Sequence, residues 1–305
     1  MALNIKKGPQ MRSLRTIIYG PEGIGKSTLA SMFPDVVFID FEHGTDTMDV
    51  ARFDMPEDYG AFITLLNSIA LEKPCGTVVI DTADKLETLL TEHVCKAKGF
   101  QSIEDPGYGK GYTYLVDIWL EVLKNIDKIV DAGMNIVLVA HAAMRKFEQP
   151  EEMGAYDRWE LKLQKKTAPL IKEWSDMLLF CNYKNNIIED PKTKSKKATG
   201  GKRVMYANHA PTYDAKNRFG LPDEMPMDFA SIAHIFSGIP QKKSKKTEIY
   251  EAIQDLEGFE PWLIRFLSTQ DPTLTANTID ELEPKCIQWI FDNKEKLIKK
   301  FKEDN

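Results

Sequence analysis

Apolar residues recur along this chain in short unbroken runs. The runs are residues 14–19 (LRTIIY), 36–41 (VVFIDF), 76–81 (GTVVID), 135–140 (NIVLVA) and 177–183 (MLLFCNY), with 203–207 as a sixth candidate. Each is rich in β-branched residues and too short for a buried helix, so each predicts a strand apolar on both faces. Between them, residues 27–33, 59–71, 85–98 and 114–132 place apolar side chains at helical spacing. Strands alternating with helices predict an α/β fold whose central sheet is mainly parallel and covered on both sides. Residues 99–113 are rich in glycine and polar groups and read as a loop. A hairpin with a basic, glycine-rich tip is expected over about 184–210.

The core is expected to end near residue 236. Residues 237–247 read as a basic linker. Beyond it Ile249, Ile253, Leu256, Ile287, Ile290, Phe291, Leu297, Ile298 and Phe301 keep helical spacing, so 248–305 reads as a small helical domain.

Composition narrows the setting. Of 305 residues, 43% are hydrophobic and 28% charged, ordinary for a chain with a sizeable core. No apolar run approaches the roughly 18 to 20 residues that span a bilayer. The start, MALNIKKGPQ, lacks a signal peptide's apolar stretch, so a cytoplasmic location without membrane contact is expected. Cys75, Cys95, Cys181 and Cys286 form no CxxC pair, which speaks against a zinc site or a disulfide framework. The net charge of −6 argues against a chain coated in nucleic acid. Positive charge is nevertheless concentrated locally, in residues 192–203 (KTKSKKATGGKR) and 242–246 (KKSKK). A solvated hairpin tip and a flexible linker are the plainer readings of these runs.

The chemistry begins at Gly20-Pro21-Glu22-Gly23-Ile24-Gly25-Lys26-Ser27, a full match to GxxxxGK[ST] between a strand and a helix. Glycines let backbone amides turn toward phosphates, Lys26 reaches the β- and γ-phosphates, and the Ser27 hydroxyl ligates Mg²⁺. Thr28 follows in the helix that points its N-terminus at the anion. Residues 76–81 end an apolar strand in Asp81, a second Mg²⁺ candidate. Asp84 is expected to cap the next helix. The string 37–44 (VFIDFEHG) carries Glu42 to the carboxyl end of a strand, where open α/β sheets place ligands. There it is either the group that activates water beside the γ-phosphate, or a loop acid, or an acid on ribose.

With GPEGIGKST, FIDFEHG and VVIDTAD in place, the sequence resembles the RecA/RadA superfamily. That resemblance implies a RecA-like ATPase core, ATP and Mg²⁺ as cofactors, and Glu42 as the catalytic carboxylate. It also implies a γ-phosphate sensor at the end of the fourth strand. His141 stands there, where RecA itself has Gln. YGKGYTYL and YDAKNRFGLP extend the likeness to phage-encoded RecA-like ATPases of the single-strand-annealing and recombination type, over about residues 12–230.

Such proteins grip single-stranded DNA with loops at this side of the sheet. Residues 99–113 and 142–158 are the candidates, offering Tyr108, Lys110, Tyr112, Arg145, Lys146 and Phe147. Cations would take phosphates while aromatic faces stack on bases; mobile surface loops are the plainer reading. The family also completes its site with a basic group from a neighbouring subunit, and Lys216 and Arg218 are the candidates here. The expectation is a DNA-stimulated Mg-ATPase of phage recombination, annealing or repair. It would act as a homo-oligomeric ring or filament, with a single-strand-binding protein among candidate partners. A replication helicase loader and a nucleotide-gated protein scaffold are the alternatives.

Overall fold

Strands apolar on both faces have to be covered twice, and the covering layers fix where the sheet's ends lie. The computed structural model of the protein describes residues 7–8, 12–148, 155–189, 196–237 and 245–304. Its strands are β1 (Arg15–Gly20), β2 (Val36–Asp40), β3 (Ala51–Arg52), β4 (Thr77–Asp81), β5 (Asn135–Glu148), β6 (Ala155–Leu161), β7 (Met177–Glu189), β8 (Lys196–Tyr206) and β9 (Glu224–Pro226). Its helices are α1 (Lys26–Ala30), α2 (Tyr59–Glu72), α3 (Ala83–Lys98), α4 (Lys110–Asp131), α5 (Thr167–Trp174), α6 (Ala233–Phe236), α7 (Lys245–Ile253), α8 (Phe259–Gln270) and α9 (Pro284–Asp304).

Among the described residues these strands form one sheet in the order β3-β2-β4-β5-β1-β7-β8-β9, with β6 paired to β5. The pairs from β3 to β7 along this path are parallel, while β5–β6, β7–β8 and β8–β9 are antiparallel. Successive side chains alternate between two cores. Ile17, Tyr19, Val78, Ile80, Ile136 and Leu138 pack with α2, α3 and α4. Ile18, Val79, Val137 and Val139 pack on the other face with Leu29 and Ala30 of α1 and with Ile235 and Phe236 of α6. This double covering is the reason the strand sequences read as unbroken apolar runs.

Three elements depart from expectation. The helix expected at 114 begins at Lys110, because the turn of Gly107, Tyr108 and Gly109, all at positive φ, ends the loop early. The fourth strand does not stop at Ala140. It runs on to Glu148 and pairs antiparallel with β6, so the described parts of the candidate loop 142–158 are strands. The mixed polar and apolar string AAMRKFE concealed this, since only one of its faces is covered. Helix α5, which no periodicity announced, precedes β7.

Helices α7, α8 and α9 bury Ile249, Phe259, Leu263, Ile290 and Leu297 in a third core that shares no residue with the other two. Residues 190–195 and 238–244 lie outside the described residues, and with them residues 192–195 of the basic tip and most of the linker. No helix among the described residues is long and apolar enough to cross a membrane.

Candidate nucleotide site

The carboxyl ends of β1, β2, β4 and β5 lie side by side, and each delivers one part of the site. After β1 the chain must turn sharply back into α1. Gly20 permits it by close approach: a Cβ there would stand 2.2 Å from the Cys181 carbonyl oxygen of β7. Gly23 and Gly25 have φ of +72° and +101°, which non-glycine residues rarely adopt. Gly25 is the N-cap of α1 and offers no side-chain cap, so the helix's first amides stay open to an anion. Lys26 is buried and donates through Nζ to the carbonyls of Pro21 (2.9 Å) and Gly20 (3.2 Å). Burial lowers its pKa, while the carboxylates of Asp81, Asp84 and Glu42 pull the other way.

Ser27 and Asp81 meet across the sheet end. The Ser27 hydroxyl donates to Asp81 Oδ2 at 2.6 Å. Adjacent corners of a Mg²⁺ octahedron with bonds of about 2.1 Å are roughly 3 Å apart, so these two hard oxygens fit neighbouring positions on such an ion. The charge fits as well. Burial raises the Asp81 pKa to about 6, and although the Ser27 hydrogen bond opposes this, the carboxylates of Asp40 and Glu42 add to it. A cluster of carboxylates that raises its own members' pKa favours a cation.

Glu42 follows β2 in a turn that Asp40 ties down. Asp40 accepts from the backbone amides of Glu42 (3.0 Å), Gly44 (3.3 Å) and Thr45 (2.8 Å) and from the Thr45 hydroxyl (2.6 Å). Burial alone would raise its pKa, but these bonds outweigh that and hold it low. Arg52 of β3 then binds Thr45 from outside. Glu42 Oε1 accepts from the Thr82 hydroxyl at 3.1 Å and lies 3.7 Å from His141 Nδ1.

Asp84 does not cap α3 as expected. Thr82 is the N-cap, accepting from the Lys85 amide, and Asp84 is free to bind His141 twice, at the backbone amide (3.0 Å) and at Nδ1 (2.9 Å). Burial opposes the charge on Asp84, but the bonds from His141 lower its pKa overall. An ionised carboxylate can only accept, so Nδ1 carries the proton toward Asp84 and the ring is held in one orientation. Glu42, Asp84 and His141 thus form one cluster, with ligand atoms within 4.8 Å of one another.

Lys216 and Arg218 sit at the opposite end of the sheet. Lys216 bridges Leu178 of β7 through backbone bonds, and its ammonium donates to the carbonyls of Ser175 (2.6 Å), Glu173 (3.0 Å) and Lys172 (3.1 Å). It therefore satisfies the open carboxyl end of α5 rather than pointing free. Arg218 is exposed and lies 3.4 Å from Asp176, beside the first residue of β1. Gly20 ends the same six-residue strand, about 17 Å away at ~3.3 Å per residue.

The DNA-contact candidates fall on two neighbouring features. Tyr108 is fully exposed on a left-handed turn, Lys110 opens α4, and the Tyr112 hydroxyl donates to Glu104. Lys166 ties this turn to the start of α5 by donating to the Gly109 carbonyl. The next feature is a groove of about 500 Å³ between the β5–β6 hairpin and α5, lined by Arg145, Lys146, Phe147, Lys165 and Lys172 among others. Arg145 is partly engaged by the Leu163 carbonyl (2.6 Å) and Glu160 (3.7 Å), and Lys172 by Asp214 (2.6 Å). Residues 149–154, between the two strands, lie outside the described residues.

A model of the AAA domain family matches residues 12–219, from the first strand through Arg218. The chain belongs to the AAA domain family. Within this AAA domain the loop of residues 20–27, the strand order and the mainly parallel sheet make a RecA-like P-loop fold. A curated relative, the SPbeta prophage-derived uncharacterized protein YorG of Bacillus subtilis (strain 168), is 23% identical over 182 residues, 57% of this chain and 52% of the relative. The chain thus spans about half the length of the curated relative it matches. Among solved structures, the RadB recombinase is 16% identical at a TM-score of 0.35, over 70% of this chain and 86% of that one. The flagellar accessory protein FlaH from Methanocaldococcus jannaschii is 13% identical at 0.34, over 64% and 78%.

Thr82 and Asp84 join the site from within VVIDTAD, beyond the residues expected there. Their signal is spacing: three residues past a strand-end carboxylate, a helix's first turn faces the same sheet edge. Arg203, the last residue of the basic run and the first of the sixth candidate strand, lies on β8 and touches the P-loop at the Ile24 carbonyl.

Proposed function

We propose that this AAA domain protein is a Mg²⁺-dependent ATPase that acts on single-stranded DNA in phage recombination, annealing or repair, assembled as a ring or filament of identical chains. The observation that carries the reading is the convergence of Ser27–Asp81 and Glu42–His141–Asp84 beside the open amino end of α1. Bound there, Mg²⁺ held by Ser27 and Asp81 would offset phosphate charge. Lys26 and the loop amides take the β- and γ-phosphate oxygens and stabilise charge that develops on them. Glu42, held by Thr82, orients and deprotonates the attacking water. His141, fixed by Asp84, hydrogen-bonds the terminal phosphate or that water and so reports its presence to β5. Arg218 completes the site of a neighbouring chain.

Support for DNA is local charge on an acidic chain. Lys146, Phe147 and Lys165 line the groove beside the part of β5 that continues from His141, so a change at the phosphate has a direct route to the groove. Support for a phage setting is the prophage-derived relative. The break at 237–247 is read as a linker, and α7–α9 as a separate helical domain with its own core.

The test is the Mg-ATP hydrolysis rate with and without single-stranded DNA, for the wild type and Glu42→Gln. The wild type should be stimulated by DNA. Glu42→Gln should bind ATP normally and turn over about 10² to 10⁴ times more slowly. A wild type inert toward Mg-ATP rejects the enzyme, and a rate indifferent to DNA rejects the DNA role.

A further inference from the structure

Arg203 stands two strands from β1, yet its guanidinium reaches the phosphate loop. On β8 it shares a face with Met205 and Ala207, which lie in the core layer of α1. Nη1 donates to the Ile24 carbonyl at 3.4 Å, a long bond that occupies one of five N–H donors. A Cβ on Gly25 would stand 2.7 Å from Nη1. The backbone requires glycine at 25 through its φ of +101°, and its missing Cβ leaves the space in which the guanidinium lies. Among the described residues no carboxylate lies within ion-pair range of Arg203. A cation without a carboxylate partner among the described residues, exposed and laid against a loop built to hold anions, is placed for a ligand rather than for stability.

The sheet order decides which end of a nucleotide it meets. Glu42, Asp81 and His141 come from β2, β4 and β5, all on one flank of β1, whereas β7 and β8 form the other flank. With the terminal phosphate beside Glu42, the phosphate chain crosses the loop and its α-end faces β8. We propose that Arg203 is a cis-acting cation of the nucleotide site that binds the α-phosphate side of a nucleoside di- or triphosphate. This rests on the reading of residues 20–27 as the nucleotide cradle.

The test is the affinity of Mg-ADP, and of Mg-ATP in the Glu42→Gln background, for chains with Arg203, Arg203→Ala or Arg203→Gln, with Lys26→Ala alongside. Loss of a charge-assisted hydrogen bond should weaken both nucleotides about tenfold or more, equally, in both Arg203 variants. The unfolding temperature of the nucleotide-free protein should not move, because the side chain is exposed. Binding of both nucleotides within twofold of the parent overturns the assignment, and so does loss confined to ATP, which would put Arg203 at the γ-end. If Lys26→Ala abolishes binding while the Arg203 variants bind normally, this inference alone fails. If the unmodified chain binds neither nucleotide, the cradle reading fails and takes Arg203 with it.

Discussion

Asp81 and Asp84, three residues apart, are tuned in opposite senses by what surrounds them. Asp84 meets two donors on His141 and is held low; Asp81 meets one hydroxyl, deep burial and two neighbouring carboxylates, and is pushed up to about 6. The consequence for stability has a definite sign. An unfolded Asp ionises near 4, so between pH ~4 and ~6 the folded chain holds a proton there that the unfolded chain has lost. As pH rises through that window this group costs the fold stability, and above it the full cost of about 2 to 3 kcal/mol is present. Asp81→Asn keeps an acceptor for Ser27 without the charge. In metal-free buffer at pH 7 it should therefore be more stable than the wild type by up to that amount, and the gap should close toward pH 4. Parallel stability–pH curves for the two proteins would contradict this. A stability gain on removing a site residue is the usual mark of a position kept for chemistry.

Elements are locked to one another by single buried acids. Glu87 of α3 accepts from the Trp119 indole (3.1 Å), the Gln164 amide (2.8 Å) and the Thr167 hydroxyl, joining α3, α4 and the start of α5. Asp176 does the same at the head of β7. It accepts from the Arg15 amide and guanidinium and from Arg12, and its own amide donates to the Arg15 carbonyl. Its side chain is 3% exposed and that of Arg15 16%. Burial works against its charge, but the Arg15 bonds win and its pKa is lowered. Asp176→Asn should cost about 3 kcal/mol at pH 7, read from denaturant unfolding. Because the pKa is depressed, this stabilisation is complete above pH ~4 and lost as pH falls below it. A penalty that persists undiminished at pH 3 would mean that packing, not charge, ties these elements.

For the whole molecule, the sheet's two ends divide the labour. The nucleotide loop lies at the carboxyl end of β1, and Arg218 beside its amino end. A single chain cannot bring Arg218 to its own phosphate site, so any catalytic part it plays needs a second copy. Arg218→Ala and Lys26→Ala should each be inactive. Mixed in equal amounts and allowed to exchange, they should recover about a quarter of wild-type turnover, the share of random neighbours that pair an intact loop with an intact arginine. Full activity of Arg218→Ala alone, or no recovery on mixing, would reject the shared site.

What the sequence determined by itself was whatever is local in the chain. Strands buried on both faces read as unbroken apolar runs, and a phosphate loop needs its glycines, lysine and serine consecutively, so β1, β2, β4, β5 and β7 and residues 20–27 were all legible. What only the tertiary structure decided were contacts between residues distant in sequence. His141 and Asp84 are separated by 57 positions and Arg203 and Ile24 by 179, and no periodicity records such pairs. The same holds where one side chain has two plausible uses. Asp84 was expected to cap α3 and binds His141 instead, and Lys216, a candidate for a neighbour's phosphate, binds the carbonyls at the end of α5. Which use prevailed depended on the partner that folding brought within about 3 Å, because hydrogen bonds and ion pairs act over that distance and the chain's order does not encode it.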